Sequence, residues 1–183
     1  SRGGLVTCLV RLARPRPFPL QPPGAGGFRG AAMAKLRRLN TSGLAEEYPM
    51  PQPRYGFGVS WDATPGRPKV DLDLQCVVVD NTGTIVDCAY YNNLKAARGI
   101  THSGDEGTGA AAGIDELVWV TLPKLPENIS LLVFVLAAYA GGKLIDAANG
   151  LIHVLENTKT NEIASVGVQR SNASVDVVGA MYK

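Results

Sequence analysis

Short apolar runs separated by turn residues fill the chain from residue 55 onward. In the clearest run, the apolar positions 70, 72, 74 and 76 alternate with Asp71, Asp73 and Gln75, as the two faces of a β-strand require. A turn at Asp80-Asn81-Thr82-Gly83 follows and predicts a hairpin with the next strand. The pattern predicts strands at 55–61, 70–79, 84–91, 116–122, 129–139, 151–156, 162–169 and 174–181.

About seven to eight short strands of this kind favour an all-β fold, a β-sandwich, over alternating strands and helices. The 21 Gly and 12 Pro residues also favour turns and short strands. Residues 92–114 are predicted to form a long Gly/Ala-rich loop, and loops of that length in compact domains usually serve a function. The longest apolar run, 131–140, is shorter than the roughly 18 residues that span a bilayer, so no transmembrane segment is predicted.

The formal net charge of +2 conceals a division of the chain. Residues 1–40 contain no acid and eight Lys or Arg, whereas residues 41–183 hold all 16 acids and the other ten bases, a charge of −6. We therefore predict an extended basic Pro/Gly-rich N-terminal extension, residues 1–54, followed by one sandwich domain, residues 55–183.

The basic extension, residues 1–40, is expected to dock on other protein subunits of an assembly. Its prolines disfavour a helix and pre-order an extended chain, which lowers the entropy lost on docking. We expect Arg11, Arg14 and Arg16 to meet acidic groups, and Phe18 and Leu20 to fill apolar hollows. The competing hypothesis is that the extension folds back on its own acidic domain. No nucleic-acid partner is expected, because aromatic residues do not interleave with the bases.

The sequence gives little information about the compartment. The acid-free, Arg-rich extension is similar to an organelle transit peptide, so that a plastid or a mitochondrion stays an alternative to the cytoplasm. Three cysteines without a CxxC pair indicate neither a disulfide framework nor a zinc site, and free thiols favour a reducing interior.

Seven short motifs occur in an order and at spacings that resemble the tellurite-resistance TerD family. They are Val59-Ser60-Trp61-Asp62, Asp71-Leu72-Asp73, Tyr91-Asn92-Asn93, His102-Ser103-Gly104-Asp105, Thr108-Gly109, Asp115-Glu116 and Leu122-Pro123-Lys124-Leu125-Pro126. The resemblance covers residues 55–182. It implies a stress-response β-sandwich whose loops bind calcium.

The resemblance also implies which residues surround the calcium. These are Asp71, Asp73, Asn92, Asn93, Asp105, Asp115 and Glu116. Elementary chemistry agrees, since calcium takes six to eight hard oxygen ligands and these side chains carry carboxylate or amide oxygens. Asp71 and Asp73 share one face of a strand, where two carboxylates repel each other unless a cation or water intervenes. Without the family, a solvated strand edge is the simpler interpretation.

The acidic loop departs from the family pattern. Relatives end this segment in Gly-Asp-Asp-Glu, whereas this chain has Ile114 before Asp115-Glu116, and Ala112 stands where an acid is common. Fewer carboxylates lower calcium affinity. We therefore expect a degraded site, with one calcium position on Asp71, Asp73 and Asp105.

No pattern of catalytic residues is found. The chain has no GxSxG segment. Of its two histidines, the resemblance implies that His102 orders the loop, and His153 falls in a predicted strand. Trp61 and Trp119 are expected to be core aromatics. The sequence therefore favours a non-enzymatic binding module, serving as an accessory or structural subunit, and the alternative is a free calcium-binding stress-response protein.

Overall fold

The computed structural model describes residues 7–10, 34–36, 49–63, 66, 69–110, 112–168 and 171–182. These residues form strands almost throughout, with single 3-10 turns at Leu122–Lys124 and Leu144–Asp146. No helix among them is long and apolar enough to cross a membrane. The strands are β1 (Thr7–Val10), β2 (Ala34–Leu36), β3 (Pro49–Met50), β4 (Arg54–Asp62), β5 (Asp71–Asp80), β6 (Ile85–Ala89), β7 (Lys95–Ala96), β8 (Ile100–His102), β9 (Glu116–Thr121), β10 (Ile129–Ala140), β11 (Ala148–Glu156), β12 (Glu162–Gly167) and β13 (Val175–Tyr182).

Two sheets pack face to face, which confirms the predicted all-β sandwich. The front sheet has the order β3-β2-β1-β13-β10-β5-β6, and the back sheet has the order β12-β11-β4-β9-β8-β7. Among the described strand pairs, β1–β2 is parallel and the others are antiparallel. The predicted β5–β6 hairpin is present, with Val77 opposite Cys88.

The interior lies between the sheets and follows the predicted alternation. In β5, the side chains at positions 72, 74, 76 and 78 are fully buried. The rings of Phe57 in β4 and Phe134 in β10 stack with centroids 4.1 Å apart, which joins the two sheets at the centre of the core. Trp61 is buried as expected, whereas Trp119 is half-buried and carries the Arg54 guanidinium over its ring.

The predicted loop 92–114 differs from the expectation, because it contains β7 and β8. These strands are two and three residues long, too short for a period-two pattern to reveal them. From β4 onward the described chain therefore has ten strands, more than the seven or eight predicted.

Two described segments of the basic extension lie on the chain's own front sheet. β1 pairs with the free edge of β13, with Cys8 opposite Met181, and β2 pairs with β1. This pairing is the fold-back that competes with docking on another protein. The expected contacts of Arg11, Arg14, Arg16, Phe18 and Leu20 fall outside the described residues.

Candidate metal centre at the edge of the sandwich

The edge of β5 near Leu74 is completed by side chains rather than by a strand. β6 pairs with β5 only over residues 76–79, so the backbone of Leu74 lies beyond the end of β6. Glu116 Oε2 in the back sheet accepts a hydrogen bond of 2.7 Å from the Leu74 amide. His102 Nε2 lies 2.8 Å from the Leu74 carbonyl oxygen. Two side chains of the back sheet thus satisfy buried backbone groups of the front sheet that β6 leaves unpaired.

His102 also fixes the start of the loop that follows it. Its Nδ1 accepts a hydrogen bond from the Gly104 amide at 3.0 Å, so the ring hydrogen is assigned to Nε2, which donates to Leu74. The loop is held further by Ser103, whose backbone amide donates to the Leu117 carbonyl and whose Oγ accepts from the Leu117 amide. His102 has the loop-ordering position expected from the sequence.

The other end of the loop lies against Trp61. Gly109 has a φ of +58°, and a Cβ at this position would lie 2.5 Å from the Trp61 ring. Only glycine meets both requirements. The Trp61 ring is itself fixed, because its Nε1 donates to the Val70 carbonyl. The loop therefore holds its acidic residues in a defined position over β5.

Three carboxylates meet where this loop covers the end of β5. Oxygen atoms of Asp73, Asp105 and Glu116 all lie within 4.8 Å of one another. Asp73 is 4% exposed and Glu116 is fully buried, whereas Asp105 is exposed. The group, which we call the carboxylate cluster, therefore has a buried base and one side open to solvent.

The carboxylates near the cluster destabilise one another's charged forms. Burial raises the pKa of Asp73 to about 6, and the charges of Glu116, Asp71 and Asp105 add to the shift. Burial also raises the pKa of Asp71, with contributions from Asp105, Glu116 and Glu106. A bound cation would reverse both effects.

Asp115 lies next to the cluster. Burial raises its pKa, although the hydrogen bond from the Trp61 amide to Oδ2, 2.9 Å long, acts in the opposite direction. The charges of Glu106 and Asp62 raise it further. Neither Glu106 nor Asp62 is among the residues that the resemblance implies, although Asp62 belongs to one of its motifs.

Two carboxylate oxygens in this region are buried without a hydrogen-bond partner. They are Asp71 Oδ1 and Asp115 Oδ1. An unpaired buried oxygen is costly, and a hard cation is the ligand that such oxygens bind. The donor set, composed of carboxylate oxygens with an open side, fits calcium.

The structure does not bring together all the residues implied by the resemblance. Asp71, Asp73, Asp105 and Glu116 interact with one another, and Asp115 lies beside them. Asn92 and Asn93 lie in the turn after β6, where Asn92 is exposed and Asn93 Nδ2 donates to the Cys88 carbonyl at 2.8 Å and to Asp87 Oδ1 at 3.3 Å. Asn93 thus stabilises that turn.

Ile114 and Ala112, which depart from the family pattern, differ in their surroundings. Ile114 is half-buried over Gly58, where an added Cβ would lie 2.8 Å from Ile114 Cγ2. Ala112 is exposed. Ile114 therefore packs on the back sheet as an apolar side chain.

A second polar group, on the outer face of the back sheet, was not expected from the sequence. Ser60 Oγ lies 2.7 Å from His153 Nε2, and His153 Nδ1 lies 3.1 Å from Glu162 Oε2. The three residues stand on β4, β11 and β12, separated by up to 102 positions, so that no sequence spacing reveals them. Their order matches a Ser–His–acid triad.

The surroundings of Ser60 do not suit acyl transfer. Catalysis of that kind needs backbone N–H groups free to bind the developing oxyanion. The amide after Ser60, that of Trp61, already donates to Asp115 Oδ2, and Ser60 itself stands opposite Leu151 in a strand paired on both sides. We interpret the group as a structural hydrogen-bond chain.

Fold and site together define a β-sandwich with a carboxylate cluster at the edge between its sheets. The family model described as TerD domain matches residues 44–183, and the chain belongs to this family. The resemblance inferred from the sequence motifs is thereby confirmed.

The curated relatives bear names of resistance and stress-response proteins. The tellurium resistance protein TerZ of Serratia marcescens is 33% identical over 113 residues, which are 56% of this chain and 58% of that protein. The stress response protein SCP2 of Bacillus subtilis (strain 168) is 40% identical over 78 residues, 40% of this chain and 39% of that protein. The chain thus spans about half the length of these relatives.

Solved structures share the fold. A crystal structure of a protein of unknown function superposes with a TM-score of 0.62 at 18% identity, covering 72% of this chain and 81% of that chain. A homologue of the telluride resistance protein TerD from Streptomyces coelicolor A3(2) gives a TM-score of 0.55 at 22% identity, and the match covers 68% of this chain and 77% of that chain.

Proposed function

We propose that the chain is a calcium-binding module of a stress response, which acts by binding rather than by catalysis. The observation that carries the proposal is the carboxylate cluster, in which the buried Asp73 and Glu116 approach Asp105 within 4.8 Å. Burying like charges this closely is unfavourable unless a cation joins them. The unpaired Asp71 Oδ1 supplies a further hard oxygen beside the cluster.

We propose one calcium position rather than two. Asp71, Asp73, Asp105 and Glu116 would hold the ion, which would neutralise their mutual repulsion and fix the loop over β5. A second position around Asp115 would lack a carboxylate at residue 114, which is an isoleucine that packs over Gly58. The reduced number of carboxylates would lower affinity relative to a more acidic loop.

Calorimetric titration of the full chain with calcium chloride tests the proposal. We expect saturable binding of one ion, and at 100 times the dissociation constant a gain of about 2.7 kcal/mol in the free energy of unfolding. Asp73→Ala should abolish both effects. Glu162→Gln, which changes an acid on the back sheet remote from β5, should retain them. A silent titration of the folded wild type would refute the proposal.

A second role, as a subunit of an assembly, is favoured by the charge division of the chain. Eight bases without an acid in residues 1–40 suit an acidic protein partner. β1 and β2 lie on the chain's own sheet edge, so a partner would contact the rest of the extension or replace these strands. Deleting residues 1–32 should release the chain from its complex under native conditions, as measured by size-exclusion chromatography.

A further inference from the structure

Three exposed apolar side chains lie beside the acidic site. Tyr91 is 42% exposed, Leu94 is 44% exposed and Tyr139 is 72% exposed. The rings of Tyr91 and Tyr139 lie 6.5 Å apart between centroids, and the Tyr90 ring contacts the Tyr91 ring edge-on at 5.5 Å. We call Tyr91, Leu94 and Tyr139 the apolar rim.

The two tyrosines meet across the strand that carries the acids. β5 lies between β6 and β10 in the front sheet, Tyr91 follows β6, and Tyr139 belongs to β10. Asp73 stands opposite Ala137, two residues before Tyr139. The contact between the two rings therefore crosses β5 near Asp71 and Asp73.

A β-bulge sets the position of Tyr139. Leu72 stands opposite Ala138 and Asp71 stands opposite Ala140, so Tyr139 is the extra residue of β10. Bulges of this kind redirect a side chain and are frequent next to functional sites. The irregular register thus presents an exposed aromatic ring beside the carboxylates.

Leu94 connects the rim to the loop that carries Asp105. The Leu94 carbonyl oxygen accepts a hydrogen bond of 2.8 Å from the amide of His102. The His102 ring contacts the Leu74 carbonyl on β5 and the amide of Gly104, the residue before Asp105. The rim therefore lies next to both the strand and the loop that form the site.

The charge of the site selects the class of ligand. The four carboxylates proposed to hold calcium carry four negative charges, of which one ion offsets two. Glu106 and Asp115 add negative charge nearby. The surface therefore stays acidic with the ion bound and repels an anionic ligand. A cationic ligand would compete with calcium for the same oxygens. A neutral ligand meets neither obstacle.

The ion would keep coordination positions for oxygens of such a ligand. Calcium takes six to eight oxygen ligands, so four carboxylates that give one oxygen each leave about two to four positions. The exposed Asp105 marks the side of the cluster that is open to solvent. Hydroxyl groups suit these positions, because a hydroxyl offers lone pairs to the ion and donates its hydrogen to a carboxylate that remains charged.

From this arrangement we infer that the chain binds a neutral saccharide through the calcium ion and the apolar rim. This inference rests on the proposed calcium site. Two adjacent hydroxyl groups of one sugar would coordinate the ion, and the C–H face of the sugar ring would pack on Tyr91 and Tyr139. A sugar ring is polar at its hydroxyl groups and apolar on its C–H face, which matches a metal ion beside exposed aromatic rings. Tyrosine suits this contact because its ring is apolar and its hydroxyl polar.

Affinity chromatography of the full chain tests the inference. Columns that carry mannan, dextran or galactan present the adjacent hydroxyl groups of mannose, glucose and galactose. At physiological ionic strength we expect retention on at least one column in calcium, and elution by chelator. Periodate cleaves the bond between carbons that carry adjacent hydroxyl groups. The retaining polymer should therefore lose its capacity to bind the chain after periodate oxidation and borohydride reduction.

Two double variants separate the contribution of the rings from that of the ion. Tyr91→Ser with Tyr139→Ser removes both rings and should weaken saccharide binding about tenfold or more, while the heat of calcium binding is unchanged. Tyr91→Phe with Tyr139→Phe keeps the ring faces and should restore most of the binding. Ile163→Ser, at a residue 37% exposed on β12 of the back sheet, is the matched control and should bind as the wild type does.

Other outcomes overturn the inference. Retention that persists in chelator, in the double serine variant or on the periodate-treated polymer would show that the ion, the rings or the adjacent hydroxyl groups are not used. Normal calcium heat without retention on any of the three columns would refute saccharide binding and leave the calcium site intact. Absent calcium heat would refute the proposed function itself, and the inference with it.

Discussion

Glu116 Oε2 in the back sheet accepts a hydrogen bond of 2.7 Å from the amide of Leu74 in the front sheet. The same side chain belongs to the carboxylate cluster with Asp73 and Asp105. One buried carboxylate therefore joins the sheets beyond the end of β6 and also belongs to the group that we propose to hold calcium. If calcium binds as proposed, its binding is coupled to the closure of this edge through Glu116.

The two roles of Glu116 can be separated by two substitutions. Glu116→Gln keeps an oxygen for the Leu74 amide but removes the charge, so we expect nearly wild-type stability without metal and a calcium affinity at least about tenfold lower. Glu116→Ala leaves the Leu74 amide unpaired and should lower the free energy of unfolding by about 1–3 kcal/mol. Urea denaturation and calorimetry measure the two effects. Equal behaviour of both variants would contradict the dual role.

The stability of the metal-free protein should depend on pH through Asp73. Its pKa is about 6 in the folded state against an ordinary value of 3.8, so between these pH values the folded protein binds more protons than the unfolded chain. The contribution of Asp73 to stability therefore falls as the pH rises through this window. Asp73→Asn should remove this contribution to the pH dependence. Melting temperatures of the wild type and the variant, measured from pH 4 to pH 7 in metal-free buffer, test the expectation. An identical pH profile for the variant would refute the assignment.

Stabilisation by calcium should have the opposite pH dependence to the Asp73 contribution in the metal-free protein. Its ligands must be deprotonated, so the calcium-induced rise in melting temperature should be larger at pH 7 than at pH 5. Thermal scans with excess calcium at both pH values measure the difference. A rise that does not change with pH would indicate that Asp73 is not a ligand.

Ser60 should be unreactive despite its contact with His153. The Trp61 amide that would stabilise an oxyanion is engaged by Asp115, so we expect no labelling by a fluorophosphonate probe and no ester hydrolysis above that of Ser60→Ala. Mass spectrometry of the treated protein measures the modification. Labelling lost in both Ser60→Ala and His153→Gln would instead show a nucleophilic serine.

Removing the extension should change stability little. β1 contributes a few backbone hydrogen bonds to β13, each worth about 0.5–1.5 kcal/mol, while ordering its four residues costs about 1–2 kcal/mol each. We therefore expect deletion of residues 1–32 to shift the melting temperature by no more than about 3 °C. A loss of more than about 10 °C would mean that the extension is part of the domain's own core.

Much of the site was recognisable in the sequence because it consists of short contiguous motifs. The alternation of β5 places Asp71 and Asp73 on one face, and the family resemblance implies that these two residues, Asp105 and Glu116 belong to the site. The paired role of Glu116 was not predictable, since its hydrogen bond to Leu74 depends on where β6 ends. Asn93 was assigned to the site by its motif alone, but its amide contacts Asp87 and Cys88.

The sequence by itself determined the longer strands from β4 onward and the sandwich, because a period of two in hydrophobicity is a local property of each strand. It also determined the charge division between residues 1–40 and the domain. Only the tertiary structure decided that Tyr91 and Tyr139 meet across β5, because that contact depends on sheet order and on a bulge in β10. The placement of Ser60 beside His153, 93 residues apart, likewise follows from strand register, which no local pattern specifies.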